Sequence, residues 1–341
     1  MYPISIMKYA NIHAKLKGMY AKRLKESDLQ ELIHQDNLKS VIIILKAKNL
    51  ELNELDENAR RIQIETILDK ILITDIIKIQ RLLGKKDREI FSRFIEKYKI
   101  RCIKDVFRKL YSKTIIHYNP ESIKIWTKSI FKEIHGIQDV ETIEEFIDKL
   151  KYTPYQKIFE DLNNEEDKIE QANIFEVENK MDKMYLNRLM DISENKNNRL
   201  ESMISKKIDL MNLLWIYRLK KYYDFSEEKL KEIFVNQEKH NNSKFEIKQF
   251  LSLESDTEIL EMFETKSYIK NYEKNLSLEQ NINRYLYKEY QKIFRSQVFD
   301  ISSICAYINL IEMENTDIIR IIEGIRYKLS KEEIQKKLVT K

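Results

Sequence analysis

The 341-residue chain carries 61 Lys+Arg against 56 Asp+Glu, a formal charge of +5, and 43% of its residues are hydrophobic. That is enough apolar material for a buried core, which excludes an intrinsically disordered chain. Only four Gly and three Pro occur, against average usage of roughly 7% and 5%. Strands joined by tight turns need more of both, so an all-α protein is expected.

In chain order, Met1–Met7 is too short for a secretory leader and Lys8 follows at once, so none is expected. Ile62, Ile64, Ile67, Leu68, Ile71 and Leu72 recur at helical spacing, and Ile76, Ile77 and Ile79 continue the same face. Gly84 breaks that pattern. Asn119-Pro120-Glu121 has the form of a helix start, a capping residue before an acidic first turn. Further breaks fall at Gly136 and Thr153-Pro154. Leu210, Leu213, Leu214, Ile216 and Tyr217 form another apolar stripe, and Asp224-Phe225-Ser226-Glu227-Glu228 reads as another helix start. The longest uncharged run, Ile301–Ile311, is half the roughly 20 residues a membrane-spanning helix needs. Ser330-Lys331-Glu332-Glu333 has the capping-box form and opens a short last helix.

Several chemistries are excluded by what is missing. Gly18, Gly84, Gly136 and Gly324 are far apart, so no Gly-rich phosphate loop and no G-x-S-x-G elbow can form. Cys102 and Cys305 make no C-x-x-C pair, which excludes a disulfide framework and points to a reducing compartment. The five His are not at metal-ligand spacing, and Glu31-x-x-His34 is a single copy of a motif that di-metal bundles need twice. Trp126, Trp215 and Cys305 sit in apolar-periodic stretches and are expected in the core. Mixed-sign faces such as Lys229-Leu230-Lys231-Glu232 argue against a nucleic-acid partner. Neither a cofactor nor a small-molecule substrate is expected.

Internal repetition is the most informative feature. A Glu-x-x-apolar-[Asp/Asn]-[Lys/Arg] box occurs at Glu65/Asp69, Glu178/Asp182 and Glu279/Asn283. A second box, [Asn/Asp] before Ile, Leu or Val, occurs at Asn11, Asp105, Asn212 and Asp317. Both keep a period of about 100 residues, far longer than the roughly 34–47 of common helical solenoids. They divide the single domain 1–341 into approximate repeats 1–104, 105–211 and 212–341. Within a helix the two polar residues of the Glu box share one face. The expected role is to bond Arg or Lys of a neighbouring helix and register the packing, with Arg108, Arg218 and Arg326 as candidate partners. Two other readings stay open: a generic helical-repeat scaffold, and an all-α enzyme with a cleft at Glu65/Asp69 or Glu31/His34.

The order of these motifs resembles the C subunit of the V-type (A/V-type) ATPases, the bacterial and archaeal counterpart of the d subunit of eukaryotic V-ATPases. The resemblance rests on Tyr9-Ala10-Asn11-Ile12-His13-Ala14-Lys15 at one end. At the other end are Phe299-Asp300-Ile301-Ser302, Ala306-Tyr307-Ile308, Glu312-x-Glu314, Asp317-Ile318 and Gly324. Between them lie Glu178-x-x-Met181-Asp182-x-x-Tyr185 and Ile208-Asp209-x-x-Asn212-Leu213. It implies a funnel-shaped array of three similar helical blocks with pseudo-threefold symmetry. It also implies a non-catalytic rotor component, peripheral on the cytoplasmic face of the membrane. Such a component links central-stalk subunits to the membrane proteolipid ring and transmits torque for ATP-driven ion transport. On that reading Asn11, Lys15, Lys17, Arg320 and Arg326 are expected at the border of the funnel.

Overall fold

The computed structural model describes residues 3–48, 52–56, 58–111, 118–163, 171–193, 198–222, 232–235, 258, 261–262, 273–296 and 300–340. The expected helix start at Asp224 and the Phe299 of the C-terminal motif lie outside these residues. Among the described residues every regular element is helical, and no helix is long and apolar enough to cross a membrane. The fold is all-α.

The first stretch comprises α1 (Pro3–Tyr20), α2 (Glu26–Ile33), α3 (Leu38–Lys48), α4 (Arg61–Leu82) and α5 (Lys85–Tyr111). The second holds α6 (Pro120–Ser129), α7 (Ile143–Lys149), α8 (Gln156–Asn163), α9 (Gln171–Ser193) and α10 (Asn198–Tyr222). The last described stretch holds α11 (Leu278–Arg295), α12 (Ile301–Arg326) and α13 (Lys331–Lys337).

Local chemistry sets several boundaries. Asn119 caps α6 by accepting from the Ser122 amide at 3.1 Å, and Pro120 occupies the first helical position, where its missing N–H leaves no bond unmade. Ser330 and Glu333 form the capping box of α13. Asp300 caps α12 through the amides of Ser302 and Ser303. Gly136 takes φ +85°, a left-handed conformation that favours glycine, between two short 3₁₀ turns.

Among the described elements, helix α12 packs against α1, α2, α3, α4, α5, α10, α11 and α13. Every residue from Ile301 to Ile311 is buried, as expected of a helix apolar on all sides. The uncharged run is therefore the middle of a protein core. Around it α5 packs on α9, α9 on α10, α10 on α11, α11 on α12 and α12 on α4. Arg101 of α5 closes the circuit by bonding Asp69 of α4. Helix α12 also touches α5 and α10 directly. One apolar core runs from Tyr9 on α1 to Ile311 on α12 and includes Trp126, which stacks on Tyr98 at 4.4 Å. Trp215, Cys102 and Cys305 are buried in the same core, and burial pushes the Cys102 thiol up to about 12.

A second apolar cluster joins α2, α3, the first half of α4, the last half of α12 and α13. There Gly324 lets two helices approach closely: a Cβ at this position would lie 2.5 Å from Cγ1 of Ile334. Ile62 departs from the expected apolar face. It is 41% exposed, because one helical turn cannot turn both Ile62 and Ile64 inward.

Candidate functional site

The Glu boxes lie at helix-to-helix contacts. Arg108 of α5 grips Glu178 of α9 with two bonds, Nε to Oε1 at 2.6 Å and Nη2 to Oε2 at 2.7 Å. One turn away Lys104 pairs with Asp182 at 2.6 Å. Arg218 of α10 meets Glu279 of α11 at 2.6 Å. In the remaining copy Asp69 accepts from Arg101 at 2.9 and 3.1 Å and from the Ser122 hydroxyl. Arg326 does not serve Glu65. Arg61, one turn earlier on the same helix, bonds Glu65 at 2.8 Å and reaches Glu323 at 3.7 Å. Arg326 meets that same Glu323 within its own helix, at 3.5 Å. The exposed one of these pairs, Arg218–Glu279, is of a kind that contributes about 0–1 kcal/mol; two-point geometry, as at Arg108–Glu178, adds direction.

The second box carries a role that no local sequence signal announced. Asn212 on α10 exchanges two hydrogen bonds with the backbone of Val235, both at 3.0 Å. Asp317 on α12 accepts from the amides of Val339 at 2.9 Å and Thr340 at 2.8 Å, and from the Thr340 hydroxyl at 2.7 Å. The Val partners lie 23 and 22 residues downstream. Each buried polar side chain thus straps a later Val to an inner helix. Asp105, by contrast, meets Arg108 at 3.3 Å.

Where α5, α10 and α12 converge, three charges face one another. Lys97 of α5 pairs with Glu312 of α12 and bonds Asn309 at 2.9 Å. Lys207 of α10 borders the same place. Burial, with Lys97 adding repulsion, pulls the Lys207 ammonium down to about 8, although Glu312 and Asp182 oppose the shift. Burial alone would raise the Glu312 carboxyl, but Lys97 and Lys207 outweigh it and hold it below the usual range. Glu312 and Thr316 border two cavities. One is of about 420 Å³, between α4, α5, α6 and α12. The other is of about 210 Å³, between α10, α11 and α12.

The five expected border residues do not form one group. Asn11, Lys15 and Lys17 are on the exposed face of α1. Lys17 also donates to the Phe294 carbonyl at 2.9 Å and lies 4.1 Å from its ring centroid. Arg320 lines the smaller cavity and pairs with Asp317 at 3.0 Å. Arg326 is exposed at the end of α12. Asn283 borders the smaller cavity. Neither Glu31 nor His34 lines a cavity described above, and Glu31 pairs with Lys48 at 3.1 Å. No metal-holding group of three or more His, Cys, Asp or Glu occurs among the described residues.

The family model for the ATP synthase (C/AC39) subunit matches residues 12–337. The chain belongs to that family. The C subunit of the A-type ATP synthase of Methanocaldococcus jannaschii is 23% identical over 354 residues, covering 99% of this chain and 88% of its own. The C subunits of the A-type ATP synthases of Pyrococcus furiosus and Desulfurococcus sp. are each 22% identical, over 90% and 88% of this chain and 83% and 82% of their own. The match spans all three boxed stretches, so the family assignment covers α4, α5, α9, α10, α11 and α12 together, including the Lys97–Lys207–Glu312 junction.

Proposed function

We propose that this chain is a non-catalytic subunit of an A/V-type ATPase that couples rotation. It acts as a socket between the central-stalk subunits and the membrane proteolipid ring, on the cytoplasmic face. The observation that carries the reading is family membership across residues 12–337. The geometry supports it. A part that passes torque must not shear. Here six long helices pack in a closed circuit around a continuous core, and the chain has few Gly or Pro hinges. The repeats 1–104, 105–211 and 212–341 each contribute to that circuit, and the funnel of three similar blocks is our reading of it. Straps at Asn212 and Asp317, 105 positions apart and each holding a Val 23 or 22 residues on, are consistent with duplicated blocks.

In this reading the head subunits hold the nucleotide and the ring carries the ion. This chain supplies two protein interfaces, each above the roughly 1,000 Å² that a specific contact needs. Lys15 and Arg326 are exposed and are the residues to test, Arg326 having only the long contact with Glu323 of its own helix; Lys17 and Arg320 hold closer structural partners. Lys15→Glu with Arg326→Glu is expected to weaken co-purification of stalk with ring and to leave ATP hydrolysis by the detached head unchanged. Assembly equal to wild type would refute the placement of these residues. A tagged wild-type chain that retrieves neither stalk nor ring would refute the function.

A further inference from the structure

The Glu boxes are not electrostatically equivalent. In two of them the second polar residue is an acid matched to a cation, Asp69 to Arg101 and Asp182 to Lys104. In the third it is Asn283, which makes no hydrogen bond among the described residues and borders the 210 Å³ cavity. Two cations border that cavity with it, Arg320 and Lys207. Arg320 is matched by Asp317. Glu312 is engaged by Lys97. Lys207 forms neither a hydrogen bond nor a close ion pair among the described residues. Among the described residues the cavity therefore holds one ammonium more than its walls neutralise, and a side-chain amide with no hydrogen bond among those residues lines the same cavity.

We propose that this cavity is an anion-receiving site. Lys207 and Asn283 take a carboxylate from an acidic side chain of the polypeptide that seats in the socket. Charge complementarity sets the chemistry. The ammonium of Lys207 supplies a point charge, and the Asn283 amide supplies a neutral donor beside it. Size sets the scale: 210 Å³ is below the roughly 300–1,000 Å³ of small-molecule sites, so a side-chain carboxylate fits and a nucleotide does not. A carboxylate beside Lys207 would also relieve its repulsion from Lys97, which is when a docking partner gains most from one charge. The identity of the inserted segment rests on the function proposed above; the anion site itself does not.

The test has two arms on the full chain. In the first, lysines are reductively ¹³C-methylated, which keeps their charge, and acetate is added at constant ionic strength with NMR detection. The Lys207 resonance, assigned by its loss in Lys207→Gln, is expected to shift saturably while that of exposed Lys15 does not. Equal responses at the two lysines would overturn the site. In the second arm, purified central-stalk subunits are titrated onto the wild type, Lys207→Arg and Lys207→Glu. Lys207→Glu is expected to weaken binding at least tenfold while Lys207→Arg stays within twofold. Undiminished binding by Lys207→Glu would overturn the docking role. Wild-type protein that binds no stalk subunit counts against the socket, and the acetate arm then decides the site alone.

Discussion

Replacing Asp317 with Ala should detach the C-terminal strap. Its carboxylate is fully buried and accepts from two backbone amides and a hydroxyl of residues 339–340. Two outcomes bracket the effect. If the strap stays in place, two buried N–H groups lose their acceptor, at about 1–3 kcal/mol each. If it peels away, Leu338 and Val339, now 1% and 3% exposed, lose their burial, at roughly 1.5–3 kcal/mol each. The first route gives a loss of about 2–6 kcal/mol and the second about 3–6 kcal/mol. Denaturant unfolding measures it, and hydrogen exchange should show the Val339 and Thr340 amides losing protection before those of α12. A chain ending after Ser330 provides the control. In that background only the half-exposed Arg320 pairing remains, so the substitution should matter by no more than about 1 kcal/mol. An equal loss in both backgrounds, or intact protection at Val339, would refute the strap.

Glu314 is buried and accepts from the Leu24 amide at 3.3 Å. Burial raises its carboxyl to about 7, against the pull of Arg23. The folded state therefore holds this proton between about pH 4.5 and 7 when the unfolded state has released it, and stability falls as pH rises through that window. Glu314→Gln should stabilise the protein at about pH 8 by roughly 1–3 kcal/mol and have little effect near about pH 4.5; the same effect at both values would count against it. Gly324→Ala should destabilise by about 1–3 kcal/mol through overpacking, with partial rescue by Ile334→Ala; no loss would mean that α12 and α13 can separate freely. A double-mutant cycle of Arg108→Ala and Glu178→Ala should give a coupling of about 0.5–1 kcal/mol that shrinks in about 1 M salt. A salt-insensitive coupling would mean that the pair acts through packing.

Features set by neighbouring residues were legible in the sequence. Scarce Gly and Pro pointed to helices, Asn119 and Ser330 read as caps, and the stripes placed Trp126 and Trp215 in the core. The partnering of Arg108 and Arg218 with Glu boxes could be anticipated because both ends recur at one period. Arg326 could not be assigned that way, since Arg61 captures Glu65 from within α4. Distant contacts with no repeating counterpart left no trace. Lys97 and Glu312 are 215 residues apart, and Asp317 bonds backbone amides, which any sequence supplies. The excess charge at Lys207 becomes visible only when α5, α10 and α12 are brought together.

The most direct test of the socket is to purify the intact ATPase through a tag on this chain and image the assembly by single-particle cryo-electron microscopy. The account predicts this chain between stalk and proteolipid ring, with stalk density reaching the junction of Lys97, Lys207 and Glu312. Density placing the chain on the stationary side of the enzyme, away from the rotation axis, would contradict it.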